Sequence, residues 1–510
     1  MISRRAKTRG QALPFGVAAI AFVMIMTLVL FDTGQTTANK MRLANTADAA
    51  VYSGLVWEAR SLNYQAYLNR AMVANQVSIA QVVSLVSWSE YLETTAVNIN
   101  TVVGWIPVVG QVTTVIAEVT TEVNYYVGYI GELAISGIDA LIVALSNIET
   151  AVNQAGVASA LSTLSAVVER NDPKFRVIGL NGSALVSGAF MAKNVADYES
   201  FTKTYSNDDD LERFAKIVDN SRDDFTANRG WSLPMADVGM YSVMLVKGGK
   251  TELIRNEPQA DTSADSTISS SSSSSNNSRW EWKGKDTISV HTKHYGWCKT
   301  HGCWKYDEIP VGWGEAFVSS EGDDIEQCDN GDGGWFWSAS GCPAWSSNQR
   351  AEMFADVYAK QLDASYSGLQ SYRDLADLSA DNKRPHLDMG IEVTLAKQDT
   401  RTVPNIDGLG ASGNPDVPKR GMGQGIFALS DAPAGDVLSA VSRAEVYFER
   451  PRARVEGEFG AQDSLEEFGN LFNPYWDVRL TNPAQERQLA WAARGLQDLL
   501  DNGLGGSLGF

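Results

Sequence analysis

The chain has 510 residues, a length typical of roughly two to four domains. Its content of 44% hydrophobic and 20% charged residues is ordinary for a protein with buried cores. The formal net charge of -19 excludes nucleic acid as a bulk electrostatic partner, because phosphate binding needs clustered Lys and Arg.

The N-terminal segment predicts a membrane anchor. Arg4, Arg5, Lys7 and Arg9 precede the uncharged run GQALPFGVAAIAFVMIMTLVLF at 10–31. About 20 apolar residues, at ~1.5 Å rise per residue, span the ~30 Å hydrocarbon core of a bilayer. The basic flank is expected to stay in the cytoplasm, which places the rest of the chain on the other side of the membrane.

Two further features of this run matter. A cleaved signal peptide is the alternative to an anchor, but its apolar core is shorter, and the best small-residue cleavage site, Ala47-Asp48-Ala49, lies far past Phe31. Small residues within the run would allow close approach of partner helices in the membrane. These residues are Gly16, Ala18, Ala19 and Ala21.

The apolar run is expected to continue as a long helical stalk. The stretch that follows has no Pro, and its apolar residues recur at helical spacing, as at Leu43, Ala47, Val51 and Leu55. A return helix at about 112–168 completes the stalk, and its weak points would be Gly128, Gly131 and Gly137.

The two stalk helices meet in TTAVNINTVVGWIPVVGQVTTVIA, residues 94–117, which carry no charge. Gly104, Pro107 and Gly110 mark a turn, so we interpret this stretch as the tip of an antiparallel hairpin, buried against the rest of the protein. The alternatives are a second or re-entrant membrane segment and a partner-docking tip. The tip residues are Trp105, Ile106 and Pro107.

Beyond the stalk, the pattern predicts a mixed α/β body. RVIGLNGSALVSG and YSVMLVKGGKTELI alternate like strands, with a hairpin turn at Gly248-Gly249, and RAEMFADVYAKQLDAS reads as a helix. HLDMGIEVTLAK and AEVYFER are further strands. Asn482 as N-cap and Pro483 at the first helical position open a last helix.

The expected fold class is therefore α+β, with a transmembrane helix, a helical stalk or hairpin, and an α/β periplasmic body that carries a small disulfide-stabilised, Trp-rich insert. The predicted segments are 1–31, basic leader and transmembrane helix; 32–170, stalk; 171–260, first part of the body; 261–278, Ser-rich linker; 279–345, Cys/Trp-rich insert; and 346–510, second part of the body with the last helix.

The four cysteines all lie within the insert. Outside the cytoplasm thiols are oxidised, so Cys298, Cys303, Cys328 and Cys342 predict two disulfides, for which three pairings exist. A His/Cys zinc site near His301 is the alternative. The tryptophans of the insert either pack in a small core or form a platform that stacks on cell-wall glycan.

The chain contains no arrangement that predicts catalysis. A Gly-x-Ser-x-Gly pattern occurs at 505–509, but no Asp or His follows it to complete a triad. We expect no enzymatic activity, no cofactor and no metal site.

Several motifs occur in an order that resembles a known family. RGQAL opens the apolar helix, FDTGQ closes it, and KMRLANTADAAVYS and LNYQAYLNRAMVANQVSIAQ follow; AEVYFERP and NLFNPYWDVRL lie near the other end. This order resembles the TadG-like proteins of the Flp/Tad (type IVb) pilus-assembly system, over about the first 90 residues and more thinly over the last 70.

The resemblance implies a non-enzymatic inner-membrane or pseudopilin-like component of a pilus machine, whose partners are other Tad assembly proteins. Type IV pilins are cut after a Gly and carry a Glu at the fifth mature position. If Gly10 were that Gly, the fifth position would be Phe15, and the apolar run contains no acid. We therefore expect a single-pass anchored assembly factor, with a minor pilin as one alternative and a surface or cell-wall adhesin acting through the Trp-rich insert as another.

Overall fold

The structure, a computed structural model, describes residues 12–177, 185–256, 279–298, 301–318, 348–379, 384–396, 437–449, 468–484 and 487–488. In chain order these residues form α1 (Ala12–Val103), α2 (Val109–Asn171), β1 (Phe175–Val177), α3 (Leu185–Phe201), β2 (Thr202–Tyr205), α4 (Asp208–Asn220), α5 (Asp224–Ala227), β3 (Trp231–Asp237), β4 (Tyr241–Asn256), β5 (Arg279–Cys298), β6 (His301–Val318), α6 (Gln349–Val357), β7 (Lys360–Leu362), β8 (Tyr372–Leu375), β9 (His386–Ala396), β10 (Val437–Phe448) and β11 (Trp476–Thr481). The content of helix and sheet, with a long apolar N-terminal helix, confirms that part of the predicted fold.

The described residues belong to two compact units. The first unit draws on 1–66, 151–203 and 375–510, and the second on 67–150 and 204–374. The predicted Ser-rich linker at 261–278 lies outside the described residues, as does most of the predicted last helix. At its start, Arg487 N donates a hydrogen bond to Pro483 O at 2.9 Å, which is the spacing of a helical turn.

The apolar N-terminal segment and the predicted stalk form one helix. α1 runs for 92 residues without a break, since its only proline, Pro14, lies in the first turn, and α2 returns over 63 residues. The glycine at 131, expected to weaken α2, instead allows close packing. A Cβ at Gly131 would stand 3.1 Å from Val86 Cγ2 of α1.

In the first unit, both long helices pack against an antiparallel sheet of order β1-β9-β10-β11. β9 is a strand as predicted, and its apolar side chains at odd positions from Leu387 to Leu395 are all buried. They form one apolar core with the face of α1 that runs from Leu43 to Leu62. Burial of each such aliphatic side chain contributes roughly 1.5–3 kcal/mol, so this contact is the main apolar stabilisation of the unit.

A side chain of α1 closes the outer edge of this sheet. Asn63 Nδ2 donates a hydrogen bond to Trp476 O at 2.9 Å, and Trp476 N donates to Asn63 Oδ1 at 2.9 Å. Trp476 lies on β11, an edge strand whose backbone would otherwise present unpaired groups. The amide of Asn63 therefore takes the place of a neighbouring strand.

Replacing this amide tests its role. We expect Asn63→Ala to lower the free energy of unfolding by about 1–3 kcal/mol, because two backbone groups of Trp476 lose their partner. The exposed neighbour Tyr64 supplies the control, and Tyr64→Ala should change stability by less than about 0.5 kcal/mol. Urea unfolding of the full-length chain in detergent measures both. Equal effects of the two substitutions would show that Asn63 does not close the edge.

In the second unit the sheet has the order β3-β4-β5-β6-β7, in which β7 alone is parallel to its neighbour. β4 and β5 pair over their length, from Tyr241 opposite His294 to Asn256 opposite Arg279. The described part of the Trp-rich segment therefore supplies two strands, β5 and β6, of the same sheet as β4.

Two local predictions are wrong in this region and before it. Gly248-Gly249 is not a hairpin turn but lies within β4, where a Cβ at Gly249 would stand 2.2 Å from Asp286 Oδ1. Close approach, not chain reversal, requires glycine there. The strand predicted from Arg176 onward ends at Val177 among the described residues, and Leu185 already begins α3.

The two long helices also support strand and loop backbone in the second unit. Thr94 Oγ1 accepts a hydrogen bond from Trp313 N at 2.8 Å, and Asn98 Nδ2 donates to Val311 O at 2.9 Å, both on β6. The chain preceding β8 is held in the same way. Asp139 Oδ1 accepts from Ser367 N at 3.1 Å. These helices bond to strands and loops through their side chains.

A buried ion cluster lies under the second sheet. Asp286 Oδ2 lies 2.8 Å from Arg229 Nη2 and accepts from Ser87 Oγ at 2.6 Å, and Asp286 Oδ1 lies 2.5 Å from Lys247 Nζ. Burial lowers the pKa of Lys247, and the charge of Asp286 opposes that shift. Sequence reasoning missed this cluster because its four members lie far apart along the chain.

Glu58 of α1 is buried in the first unit. It is 1% exposed, and its Oε2 has no hydrogen-bond partner in the described part of the chain. Burial raises the pKa of Glu58 to about 8, against about 4.3 for an unfolded glutamate. Between these values the folded state holds a proton that the unfolded state has lost. The stabilisation that the protonated Glu58 gives the folded state is therefore complete below about pH 4 and is lost as the pH rises through 8.

Glu58→Gln removes the titrating proton with little change in shape. At each pH we take the free energy of unfolding of the Glu58→Gln chain minus that of the unchanged chain. This difference should be larger at pH 8 than at pH 5 by on the order of 2–4 kcal/mol. Denaturant unfolding at the two pH values measures this difference. Glu169→Gln, at an exposed glutamate in the same unit, controls for the loss of one carboxylate from the chain. A Glu58→Gln effect that is independent of pH would contradict the assignment.

Candidate membrane-contacting and partner surfaces

The first part of α1 is apolar on all sides and exposed. Large apolar side chains between Leu13 and Leu30 project from the helix, and its most apolar stretch is not buried by any described part of the chain. The hydroxyl of Thr27 donates to Val23 O at 2.8 Å, so its polar group is satisfied within the helix. By length and composition, this helix is able to cross a membrane. α2 is also long and apolar enough to cross a membrane, but its most apolar part is partly buried.

The predicted contact residues for partner helices lie in this exposed part. Gly16, Ala18, Ala19 and Ala21 fall into two pairs three residues apart, 16 with 19 and 18 with 21, on two sides of the helix. A Cβ at Gly16 would meet nothing within 4 Å. The structure places these residues where helices in a membrane could approach them, and their role as contacts stays a prediction.

The tip of the helical hairpin is exposed, so the prediction that it is buried against the rest of the protein is wrong. Trp105 is 80% exposed, Pro107 is exposed, and Ile106 is half-buried. The indole N–H of Trp105 donates to Val102 O at 3.0 Å, which leaves the ring face free. An uncharged stretch predicts an apolar environment, but it does not determine whether this protein supplies that environment.

The turn itself depends on close backbone contacts. A Cβ at Gly110 would stand 1.9 Å from Gly104 O, and one at Gly104 would stand 2.4 Å from Asn100 O. Val108 adopts a positive φ of 73°, a rare conformation for a β-branched residue. These two glycines and one strained residue reverse the chain within a few positions, as Gly104 and Gly110 predicted.

Polar side chains next to the tip are paired within the hairpin. Asn100 Oδ1 accepts hydrogen bonds from Thr113 Oγ1 at 2.7 Å and from Thr114 Oγ1 at 3.1 Å. Both bonds join α1 to α2. The apolar surface around the tip is therefore not interrupted by unpaired hydroxyl groups at these positions.

The tryptophans of the Trp-rich segment have different environments. Trp282 is fully buried and donates to Gln76 Oε1 at 3.2 Å, and Trp313 stacks on Phe354 with ring centroids 4.7 Å apart. Trp297 and Trp304, in contrast, are exposed on β5 and β6. Among the tryptophans of this segment that the structure describes, packing explains Trp282 and Trp313, and a recognition platform is a proposal for the exposed pair Trp297 and Trp304.

Of the four cysteines predicted to form disulfides, Cys303 is disulfide-bonded. The side chain of Cys298 and the whole of Cys328 and Cys342 lie outside the described residues, so no pair is defined and the two-disulfide arrangement stays a prediction. A disulfide-bonded Cys303 is unable to act as a thiolate ligand, which disfavours the zinc alternative at this residue.

One group of side chains has the composition of a metal site. His386, Asp388 and Glu445 have ligand atoms within 4.8 Å of one another on β9 and β10. However, Arg443 forms an ion pair with Asp388, and Arg479 forms one with Glu445. These arginines already balance the carboxylates, so we interpret the group as a cross-strand ion-pair network.

The geometry defines a chain whose first helix is apolar and exposed at its start and packed in a helix-and-sheet core further on, as in membrane-associated proteins. Residues 10–61, which include the exposed part of α1, match the family described as "Putative Flp pilus-assembly TadE/G-like". The match confirms the resemblance seen in RGQAL, FDTGQ and KMRLANTADAAVYS. The chain therefore carries a TadE/G-like segment, of a family linked to Flp/Tad pilus assembly. No curated protein and no solved structure matches the chain.

Proposed function

We propose that this protein is a non-enzymatic, membrane-anchored component of Flp/Tad pilus assembly, a scaffold or pseudopilin-like factor that contacts other Tad assembly proteins. One observation carries the proposal. The TadE/G-like segment at 10–61 contains the exposed apolar helix and continues, without a break, into the face of α1 that forms the core of the first unit. A helix of this kind joins a lipid-soluble element directly to a folded body.

Charge supports a single span with the N-terminus in the cytoplasm and the bulk in the periplasm. Four basic residues precede the apolar run, whereas Lys40 and Arg42 are the only basic residues among the first fifteen after Phe31. No Lys or Arg occurs between Arg70 and Arg170. Such a composition suits a translocated region, because cytoplasmic segments near a membrane are rich in Lys and Arg. The bonded Cys303 agrees with an oxidising compartment.

The apolar run also supports a fixed anchor over a filament subunit. No carboxylate occurs between Gly10 and Phe31, so the charge pairing that a pilin uses at its fifth residue has no equivalent here. Phe15 occupies that position and is exposed on α1. An apolar run of this kind suits contact with a membrane, and with other helices in it, through apolar side chains.

A charge placed in the centre of the apolar helix tests the anchor. Ile20→Arg should cost about 2.5–3.5 kcal/mol on membrane insertion, so the protein should be lost from alkali-washed membranes and pili should decrease in number. Leu13→Arg is the matched control, because an arginine near the end of the span reaches the headgroups. This variant should keep both the protein in the alkali-washed membranes and the normal number of pili. Pili that form normally while the Ile20→Arg protein is absent from the membrane would contradict the proposal.

N-terminal sequencing of the mature protein separates the two membrane-bound alternatives. An intact leader supports the fixed anchor, and a start at Gln11 would support a processed, pilin-like subunit in spite of Phe15. A C-terminal alkaline phosphatase fusion, which is active only in the periplasm, determines the orientation.

A surface adhesin is the second candidate, and the exposed aromatic residues of β5 and β6 favour it. Trp297 and Trp304 are exposed, and Tyr295 lies with its ring centroid 5.4 Å from that of Trp304. Tyr306 on the same strand as Trp304 is also exposed. Exposed aromatic rings are able to stack on sugars of the cell wall.

Point substitutions test the adhesin better than deletion of the segment, because deletion would remove two strands of the second sheet. If the adhesin is correct, Trp297→Ala combined with Trp304→Ala should abolish binding to purified cell wall while pili remain intact. If pilus assembly is the function, piliation and cell-wall binding should both be unchanged. Exposed Trp231→Ala, on β3, is the control for removal of a surface tryptophan.

A further inference from the structure

We propose that the outer face of α2 is a helix-pairing surface that binds a second copy of this chain, in a parallel two-stranded coiled coil. We refer to this surface as the seam. It consists of seven apolar residues, Val112, Ile116, Val119, Val123, Tyr126, Ile130 and Leu133.

The spacing of the seam is that of a coiled coil. Its members are separated alternately by four and three residues, which gives the 3.5-residue average of the a and d positions of a heptad. All seven side chains are between 50% and 69% exposed. The seam covers three heptads, a length of ~32 Å at 1.5 Å per residue. An outward helix face in a monomer is normally polar, so this face is built to be covered.

The core of this unit uses the opposite face of α2. Asn124, Gly128, Gly131 and Ile135 are buried, and a Cβ at Gly131 would touch side chains of α1. α2 therefore has one face that packs inside the second unit and one apolar face that is left over. This second face requires an occupant from outside the described part of the chain.

The residue types on the seam favour two identical helices. The a positions are Ile116, Val123 and Ile130, and in the last heptad Ile130 at a is followed by Leu133 at d, the combination that favours two-stranded pairing. Among the flanking e and g positions only Glu122 is charged, and in a parallel pair in register it faces Val127 of the second copy. In such a pair, therefore, no two carboxylates at the flanking positions face each other. Past the seam, exposed Gly137 leaves open space for close approach.

Carboxylates beside the seam disfavour lipid as the occupant. Glu118 and Glu122 are exposed within its length. Burying a carboxylate in hydrocarbon costs about 2.5 kcal/mol or more, whereas at a helix pair both remain at the solvated flank. The parallel direction also rests on the proposed function, since copies anchored by their N-terminal helices in one membrane share an orientation.

Cysteine cross-linking of the full-length chain in membranes tests the seam. In a parallel pair the same d position of both helices meets, so Tyr126→Cys should give an oxidised dimer, at least about tenfold more than the matched variant Tyr125→Cys. Tyr125 is also exposed, at 66% against 57% for Tyr126, but lies on another side of α2 than the seam. The unmodified chain, with its own cysteines, sets the background. Equal dimer from both variants, no dimer from Tyr126→Cys, or a product with a different protein would overturn the proposal.

Charges on the seam provide a second test. Val119→Asp combined with Ile130→Asp should raise the dissociation constant of the dimer more than about a hundredfold, because two carboxylates enter an apolar contact. Thr121→Asp, exposed on another side of α2, is the control. Sedimentation of the chain in detergent measures both. A dimer that the double substitution leaves unchanged would overturn the seam. Anchoring is measured separately by membrane fractionation, so a failed seam and a failed anchor are distinguishable.

Discussion

Hydrogen bonds from helix side chains to strand and loop backbone are the interaction on which this structure depends. A helix uses its own N–H and C=O groups internally, so it is unable to extend a sheet through its backbone. Asn63 meets this constraint in the first unit by donating to and accepting from Trp476. Thr94 does so in the second unit at Trp313. These polar positions let long apolar helices lie against sheet edges without leaving buried groups unpaired.

α1 has two environments along its length, and its composition differs between them, because residues 12–31 carry no charge whereas Lys40, Arg42 and Glu58 lie further along the helix. Before Leu30 its large apolar side chains are exposed, whereas from Leu43 onward one face is buried in the first unit. The outer face of α2 and the hairpin tip at Trp105 are also apolar and exposed. Together with the TadE/G-like match at 10–61, these surfaces support the proposed contacts with lipid and with other helices.

Local pattern predicted the elements whose structure is set by their own residues. The alternation from Leu387 to Leu395 identified β9, and the absence of proline after Pro14 identified one long helix. Contacts between residues far apart in the chain were not predictable from local pattern. The cluster around Asp286 joins residues from α1, β4 and β5, and Gly249 is required by its contact with Asp286, which has no local signature. The same limit applies to the Trp-rich segment. Its strand β5 pairs with β4, although residues 257–278 separate the two strands in the chain, and no periodicity predicts this pairing.

The sequence by itself determined the apolar helix, its basic flank, the heptad spacing on α2 and the family resemblance, because each is a property of neighbouring residues. Only the tertiary structure decided which apolar faces are covered and which are not. Trp105 and the seam on α2 have the apolar composition of a buried core, yet they are exposed. The reason is that the sheet of the second unit covers other faces of the helices. Burial is a property of contacts between distant segments, and those contacts distinguish a hydrophobic core from a surface built for a partner.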